Sequence, residues 1–348
     1  MKVVLLGFYN SGKTTIFNAI TGQSIETKPH ITSSEIVHKG VISLKDFRLD
    51  KISEILNPKK VTSAQIECVD PAGFIKGNTS HNNQILKVIG DADLFIYILR
   101  GFEKPEAPYQ FEDIDPERDL KELDYEFLIA DLDLVIKRLE RMSEQKKKGQ
   151  RINEKEMETL KFIAKYLESN QPLRSVGLTE ESIREIRHLN FFTLKPIIAI
   201  INADEKFIKS KNYDSQTIVT DGELEAELIR FPEKERLNFL KELGIEKPLN
   251  YRVGEKVYEV LNYITFFTVV SEEVRAWSIK KGTKAWEAAG KIHSDIQRGF
   301  IKAEIISFRD FIEVRGDFGL AKQKGILRFE GKDYEVKDGE IITFRFKV

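Results

Sequence analysis

The sequence predicts an α/β fold in which a nucleotide-binding P-loop domain carries an inserted α-helical coiled-coil hairpin and is followed by a small α+β domain. Three patterns predict it. Apolar, strand-like runs recur at Met1–Leu6, Ile36–Leu44, Ala64–Val69, Leu94–Leu99 and Pro196–Ile201, separated by helical or loop sequence, which is the alternation of an α/β sheet. An unbroken G-x-x-x-x-G-K-T spans Gly7–Thr14, between the first run and a helix-forming stretch, Thr15–Ile20. Between about Glu117 and Asn190 the apolar residues step by four and three instead.

Each residue type in the first motif has a physical reason. Glycines let the loop turn tightly and bring its N–H groups against phosphate oxygens, and the following helix adds its positive dipole end. Asn10, Ser11, Gly12, Lys13, Thr14 and Thr15 are therefore candidate nucleotide-binding residues. Lys13 would neutralise the β- and γ-phosphates, which makes it a catalytic candidate, and Thr14 would offer its hydroxyl to Mg²⁺, a cation that prefers oxygen ligands. Asn10 has two readings: it helps hold a K⁺ beside the β/γ-phosphates, or it hydrogen-bonds the loop.

Two later motifs extend the site. The strand at Ile66–Val69 ends in Asp70-Pro71-Ala72-Gly73, a D-x-x-G. Asp70 at a strand tip can hold the water shell of Mg²⁺, and the N–H of Gly73 can contact and sense the γ-phosphate. After the run at Ile197–Ile201 comes Asn202-Ala203-Asp204-Glu205, where switch GTPases carry N-K-x-D. Glu205 stands one methylene longer at the guanine-reading position and Ala203 replaces the base-packing lysine, so the motif predicts a purine site without firm guanine preference. Gly222, in Thr220-Asp221-Gly222-Glu223, belongs to the base-proximal loop.

In the helical region, Leu128, Leu132, Val135, Leu139 and Met142 lie on one face, as do Met157, Leu160, Ala164 and Leu167. Lys146-Lys147-Lys148-Gly149-Gln150 joins the two helices into an antiparallel hairpin, and its lysines read as a solvated tip that would also suit an anionic surface such as ribosomal RNA. From Thr265 the sequence alternates around Gly-rich turns, with one helical stretch near Ala285–Gln297. Short strands are expected at Ile326–Phe329, Tyr334–Val336 and Ile341–Phe346, a module of the β-grasp type. The expected domains are 1–116 with 191–264 for nucleotide binding, 117–190 for the helical insertion, and 265–348 for the C-terminal module.

Composition sets bounds. The 348 residues are enough for two or three domains. A formal net charge of −1 supplies no global attraction for nucleic acid or membrane, and DNA is not expected as a partner. Cys68 is the single cysteine, which excludes an intrachain disulfide and points to a reducing compartment. The strand-like start and the lack of a bilayer-spanning apolar run predict a cytoplasmic protein.

These motifs carry a resemblance over essentially the whole chain. The segments Gly7–Asn18, Phe47-Arg48-Leu49-Asp50, Asp70–Gly77, Phe192-Thr193-Leu194-Lys195-Pro196, Asn202–Glu205, Val274-Arg275-Ala276-Trp277 and Arg298-Gly299-Phe300-Ile301 resemble the YchF branch of the Obg-like, translation-factor-related NTPases. That resemblance implies a G domain, an inserted coiled coil and a C-terminal TGS domain. It also implies ATP hydrolysed in preference to GTP, in keeping with Glu205, and association with the ribosome through the TGS and coiled-coil elements. In such proteins the switch carries an apolar residue where Ras-like enzymes carry the water-positioning Gln; here it is Phe74, which implies slow intrinsic turnover. In relatives the first switch holds Cys-Thr. Ser33-Ser34 stand there in this chain, so Ser34 becomes a candidate Mg²⁺ ligand, with Thr32 as the alternative, and the cysteine linked to redox control is missing.

Three readings result: a slow Mg²⁺-dependent ATPase switch, a nucleotide-holding scaffold with negligible hydrolysis, and a strict GTPase. His81, read as an exposed loop residue without a carboxylate beside it, is left outside the catalytic set.

Overall fold

A computed structural model of the chain describes residues 1–27, 37–208 and 217–347. The first half, in chain order, contains β1 (Lys2–Leu6), α1 (Lys13–Thr21), β2 (His38–Ser43), α2 (Phe47–Leu56), β3 (Lys60–Thr62), β4 (Gln65–Asp70), α3 (Thr79–Ile89), β5 (Leu94–Gly101), α4 (Pro116–Lys147) and α5 (Glu154–Glu168). There follow α6 (Glu180–Ile186), β6 (Ile197–Ala203), α7 (Glu205–Ile208), β7 (Thr217–Thr220), α8 (Gly222–Leu228), α9 (Glu233–Glu242) and α10 (Leu249–Leu261). The C-terminal part holds β8 (Tyr263–Val270), β9 (Glu273–Lys280), α11 (Ala285–Ile292), α12 (Ser294–Arg298), β10 (Phe300–Ile306), α13 (Phe308–Glu313), α14 (Phe318–Gln323), β11 (Arg328–Glu330) and β12 (Ile341–Phe346). Among the described residues no helix is long and apolar enough to cross a membrane.

These elements form two compact units, Met1–Gly40 with Glu67–Leu249, and Val41–Ile66 with Asn250–Val348. The sequence pattern assigns 41–66 and 250–264 to the nucleotide-binding domain. They group instead with the C-terminal strands because Leu49, Ile52 and Ala64 share a core with Phe267, Val274 and Ala276.

In the first unit the sheet order is β2-β4-β1-β5-β6-β7. The core pairings are parallel: Val3 lies opposite Cys68 on β4 and Leu94 on β5, Ile98 opposite Ile200 on β6, and Ile200 opposite Ile218 on β7. β5 is buried along its whole length, as a parallel strand covered on both faces must be. Parallel strands place the loops after β1, β4, β5 and β6 at one edge, where α/β sheets bind ligands.

The helical insertion is built as its periodicity requires. Asp115 accepts the N–H groups of Glu117 and Arg118 at 3.0 and 3.2 Å, and Pro116 opens α4. Asn153 caps α5. Leu128, Val135, Met142, Met157, Leu160 and Leu167 bury one another, with Leu132, Leu139 and Ala164 packed against them.

In the second unit the sheet order is β11-β10-β12-β8-β9-β3. The expected strand at Tyr334–Val336 is replaced by a single bridge between Lys284 and Glu335. The expected helix 285–297 is two helices, because His293 is extended (φ −162°, ψ 143°) and its ring accepts the N–H of Asp295. Two further helices, α13 and α14, interrupt the alternating region; Ser307 and Asp317 cap their starts.

Candidate nucleotide site

The phosphate loop is tied at its base to the D-x-x-G segment. Tyr9 donates its N–H to the carbonyl of Phe74 at 2.9 Å, and Phe74 returns its own to Gly7 at 2.9 Å. Gly73 fits this approach closely, since a Cβ there would lie 3.0 Å from the Tyr9 backbone. Gly12 has φ +82°, and a Cβ on it would stand 2.0 Å from Nδ2 of Asn202, so only glycine can lead the chain into α1.

Asp70, at the tip of β4, is the hub. Lys13 donates from Nζ to its Oδ1 and also to the carbonyl of Pro71. Thr14 donates from Oγ1 to Oδ2 at 2.9 Å, and Nδ1 of His38 stands 3.3 Å from the same oxygen. Burial opposes the charge on Asp70, but Lys13, His38 and Thr14 outweigh it and hold the carboxyl below the usual carboxylate range. Two oxygen donors, the Thr14 hydroxyl and an ionised Asp70, thus stand side by side, which suits Mg²⁺ filling its other positions with water and phosphate. Among the described residues no cluster of three acidic, His or Cys side chains offers a self-contained metal cage.

Two cavities meet at this loop. The smaller, about 120 Å³, is lined by residues 8–15, His38 and Asp70–Gly73. The larger, about 530 Å³, shares Asn10, Gly12 and Thr15 with it and extends along Phe102–Ala107, Asn202–Asp204, Asp221 and Glu223. A phosphate-sized space opening into a base-sized cleft is the geometry of a nucleotide site.

Most of the sequence-predicted residues converge here, with revised roles. Asn202 is buried, donates to the Ser11 carbonyl at 3.3 Å and accepts the N–H of Gly222 at 3.0 Å. It is a bracket between two loops, both its polar ends used by backbone. Gly222 serves the same joint, for a Cβ on it would come 2.7 Å from Oδ1 of Asn202. Glu205 opens α7, exposed, and is not among the described residues lining the cleft, whereas the preceding Asp204 is. Asn10 donates from Nδ2 to the carbonyl of Pro108 at 2.9 Å, tying the phosphate loop to the segment after β5. Ser34, Ser33 and Thr32 lie outside the described residues.

Phe74 does not line the smaller cavity. It is fully buried and packs edge-on against Phe127 of α4. His81 is not in a loop: it sits in the first turn of α3, half-buried, with Nε2 2.9 Å from the carbonyl of Gly73. Sequence reasoning passed over His38, Phe102, Lys104 and Arg100. Arg100 alone had a visible signal, as a charge inside an otherwise apolar strand.

The loop, the strand-tip aspartate and the parallel sheet define a P-loop nucleoside triphosphatase. A family model described as a 50S ribosome-binding GTPase matches residues 2–137, and the YchF-GTPase C-terminal model, described as a protein of unknown function, matches residues 263–347. The chain is 35% identical to the Ribosome-binding ATPase YchF of Haemophilus ducreyi, covering 100% of this chain and 99% of that protein. It is 34% identical to the Bacillus subtilis protein of the same name, covering 99% and 98%. The solved structure of the Schizosaccharomyces pombe YchF GTPase superposes with a TM-score of 0.82 at 27% identity, over 99% of this chain and 97% of that one. The chain belongs to the YchF family.

Proposed function

We propose that the protein is a Mg²⁺-dependent nucleoside triphosphatase that hydrolyses ATP in preference to GTP, and whose nucleotide state sets its affinity for the ribosome in the cytoplasm. The observation that carries the chemistry is the cluster of Lys13, Thr14 and Asp70 under the phosphate loop. In this reading Lys13 would exchange Asp70 for the β/γ-phosphates, Thr14 and Asp70 would hold Mg²⁺ for its charge-neutralising chemistry, and the N–H of Gly73 would sense the γ-phosphate. Adenine tolerance is supported by Ala203 in place of a base-packing lysine and by the absence of Glu205 from the described cleft wall. Ribosome binding is supported by the names of the Haemophilus and Bacillus relatives.

Competition of ATP and GTP for one labelled-nucleotide site tests the substrate: tighter GTP binding overturns the preference. Cosedimentation with ribosomes in each nucleotide state tests the partner, and equal binding in all states removes the switch. K⁺ beside the β/γ-phosphates, held with the help of Asn10, is a further element of this reading; equal hydrolysis in K⁺ and Na⁺ removes it.

A second reading, a nucleotide-holding scaffold, is favoured by Phe74, an apolar side chain fully buried where Ras-like enzymes carry the water-positioning glutamine. Single-turnover hydrolysis separates the two. Phosphate release that disappears in Lys13→Ala supports the enzyme, and binding without release supports the scaffold.

A further inference from the structure

Arg100 is the single charged residue in β5, 2% exposed, and stands one residue before the end of that strand, next to the segment that walls the larger cavity. Its guanidinium is bonded to backbone carbonyls from two different loops. Nη1 donates to Asn10 of the phosphate loop at 2.7 Å and to Ala107 at 2.9 Å, and Nε donates to Phe102 at 3.0 Å. Phe102 and Ala107 begin and end the segment that walls the larger cleft. The guanidinium also lies against two rings, 4.3 Å from the centroid of Phe102 and 4.9 Å from that of Tyr109. Tyr109 is itself held, donating its hydroxyl to Asp119 at 2.5 Å.

This arrangement has a local purpose. Asn10 adopts φ 62°, in the left-handed region that asparagine tolerates better than other non-glycine residues. The charge-assisted bond from Arg100 to its carbonyl fixes the loop in that conformation. Arginine suits the place because its planar fork presents several fixed donors, whereas lysine offers a compact point charge on a flexible stem.

We propose that Arg100 is a positioning residue that locks the phosphate loop to the 102–107 wall, so that the base side and the phosphate side of the nucleotide are recognised as one unit. The lock rests on the reading of this cleft as a nucleotide site. It touches no reacting atom. Its effect is cooperative: base contacts strengthen phosphate contacts because both walls move with one guanidinium.

The test compares ATP with inorganic tripolyphosphate, which fills only the phosphate side. Dissociation constants are measured in competition with mant-ATP for the wild type, Arg100→Lys, Arg100→Gln and Tyr109→Leu, each shown to unfold cooperatively. Tyr109→Leu withdraws one ring from the guanidinium without altering the cleft wall, and it carries the test if both arginine variants fail to fold. The advantage of ATP over tripolyphosphate should shrink about tenfold in the variants, mainly through weaker ATP binding, with kcat at saturation changed far less than KM. A ratio that stays at the wild-type value in folded variants overturns the proposal, whether the two affinities are unchanged or fall together. Wild-type protein that binds neither probe overturns the nucleotide reading itself, and the lock with it.

Discussion

Thr14 donates its hydroxyl to Asp70 across 2.9 Å, joining the first turn of α1 to the tip of β4. The bond places a helix that begins at a phosphate loop and a strand that ends in D-x-x-G within reach of one cation. Lys13 is held on the same carboxylate, so the lysine and the metal-side oxygens share one partner.

Lys13→Ala removes the main counter-charge of a buried carboxylate. Hydrolysis should fall about 100-fold or more, as when a preorganised donor to developing charge is deleted. The pH dependence should change as well. Because the folded pKa of Asp70 is depressed, its stabilising contribution is present above the unfolded value of about 3.9 and is lost as the pH falls through the lower folded value. Without Lys13 that pKa rises, and acid unfolding followed by circular dichroism should begin at higher pH. An unchanged acid limb would refute the pairing.

Asp131 of α4 behaves in the opposite sense. It accepts the N–H of Phe192 at 3.0 Å and both the N–H and hydroxyl of Thr193 at 2.7 Å, yet burial pushes its pKa up to about 6. Its contribution to stability is therefore complete below about pH 4 and is lost as the pH rises through about 6, a change of about 3 kcal/mol. Denaturant unfolding of the wild type and Asp131→Asn across this range should show their difference shrinking with pH. A difference that is flat from pH 4 to 7 contradicts the assignment.

Phe74→Gln imitates the glutamine of Ras-like switches, but the side chain is fully buried against Phe127. The amide would lose the ring packing and gain no solvent, destabilising the first unit by about 4 kcal/mol. Hydrolysis per folded molecule should not increase. A faster turnover in phosphate-release assays would mean that this position faces the nucleotide after all.

Asn202→Ala should leave the Ser11 carbonyl and the Gly222 N–H unpaired. A loss of about 2 kcal/mol in unfolding free energy, with nucleotide affinity weakened for ATP and GTP alike, is expected. Selective loss of one nucleotide would instead make Asn202 a base reader.

Much of this molecule was legible along the chain because its signals are local. Five strands of the first sheet and both hairpin helices follow from apolar period, and Lys13, Thr14 and Asp70 follow from motifs whose spacing is fixed by loop and strand-tip geometry. β3 and β7 escaped notice, being three and four residues long and defined by their partners more than by their composition. The C-terminal alternation concealed α13 and α14, where a serine and an aspartate cap outweigh the strand pattern.

The residues misjudged or missed share another property: their roles lie in what they face across long sequence separations. Asn202 could be assigned to the base from its motif, yet its side chain is consumed by Ser11 and Gly222. Phe74 could be placed in the switch, but only the packed core turns it toward Phe127.

The sequence by itself determined that a phosphate loop, a D-x-x-G turn and a helical hairpin exist in this order, because short-range spacing and hydrophobic period suffice for each. Only the tertiary structure decided which side chains complete the site. The sheet brings the C-terminal ends of β1, β4, β5 and β6 to one edge, and there burial and hydrogen-bond satisfaction set Lys13 on Asp70, Asn202 between two loops and Arg100 on the carbonyls of Asn10 and Ala107.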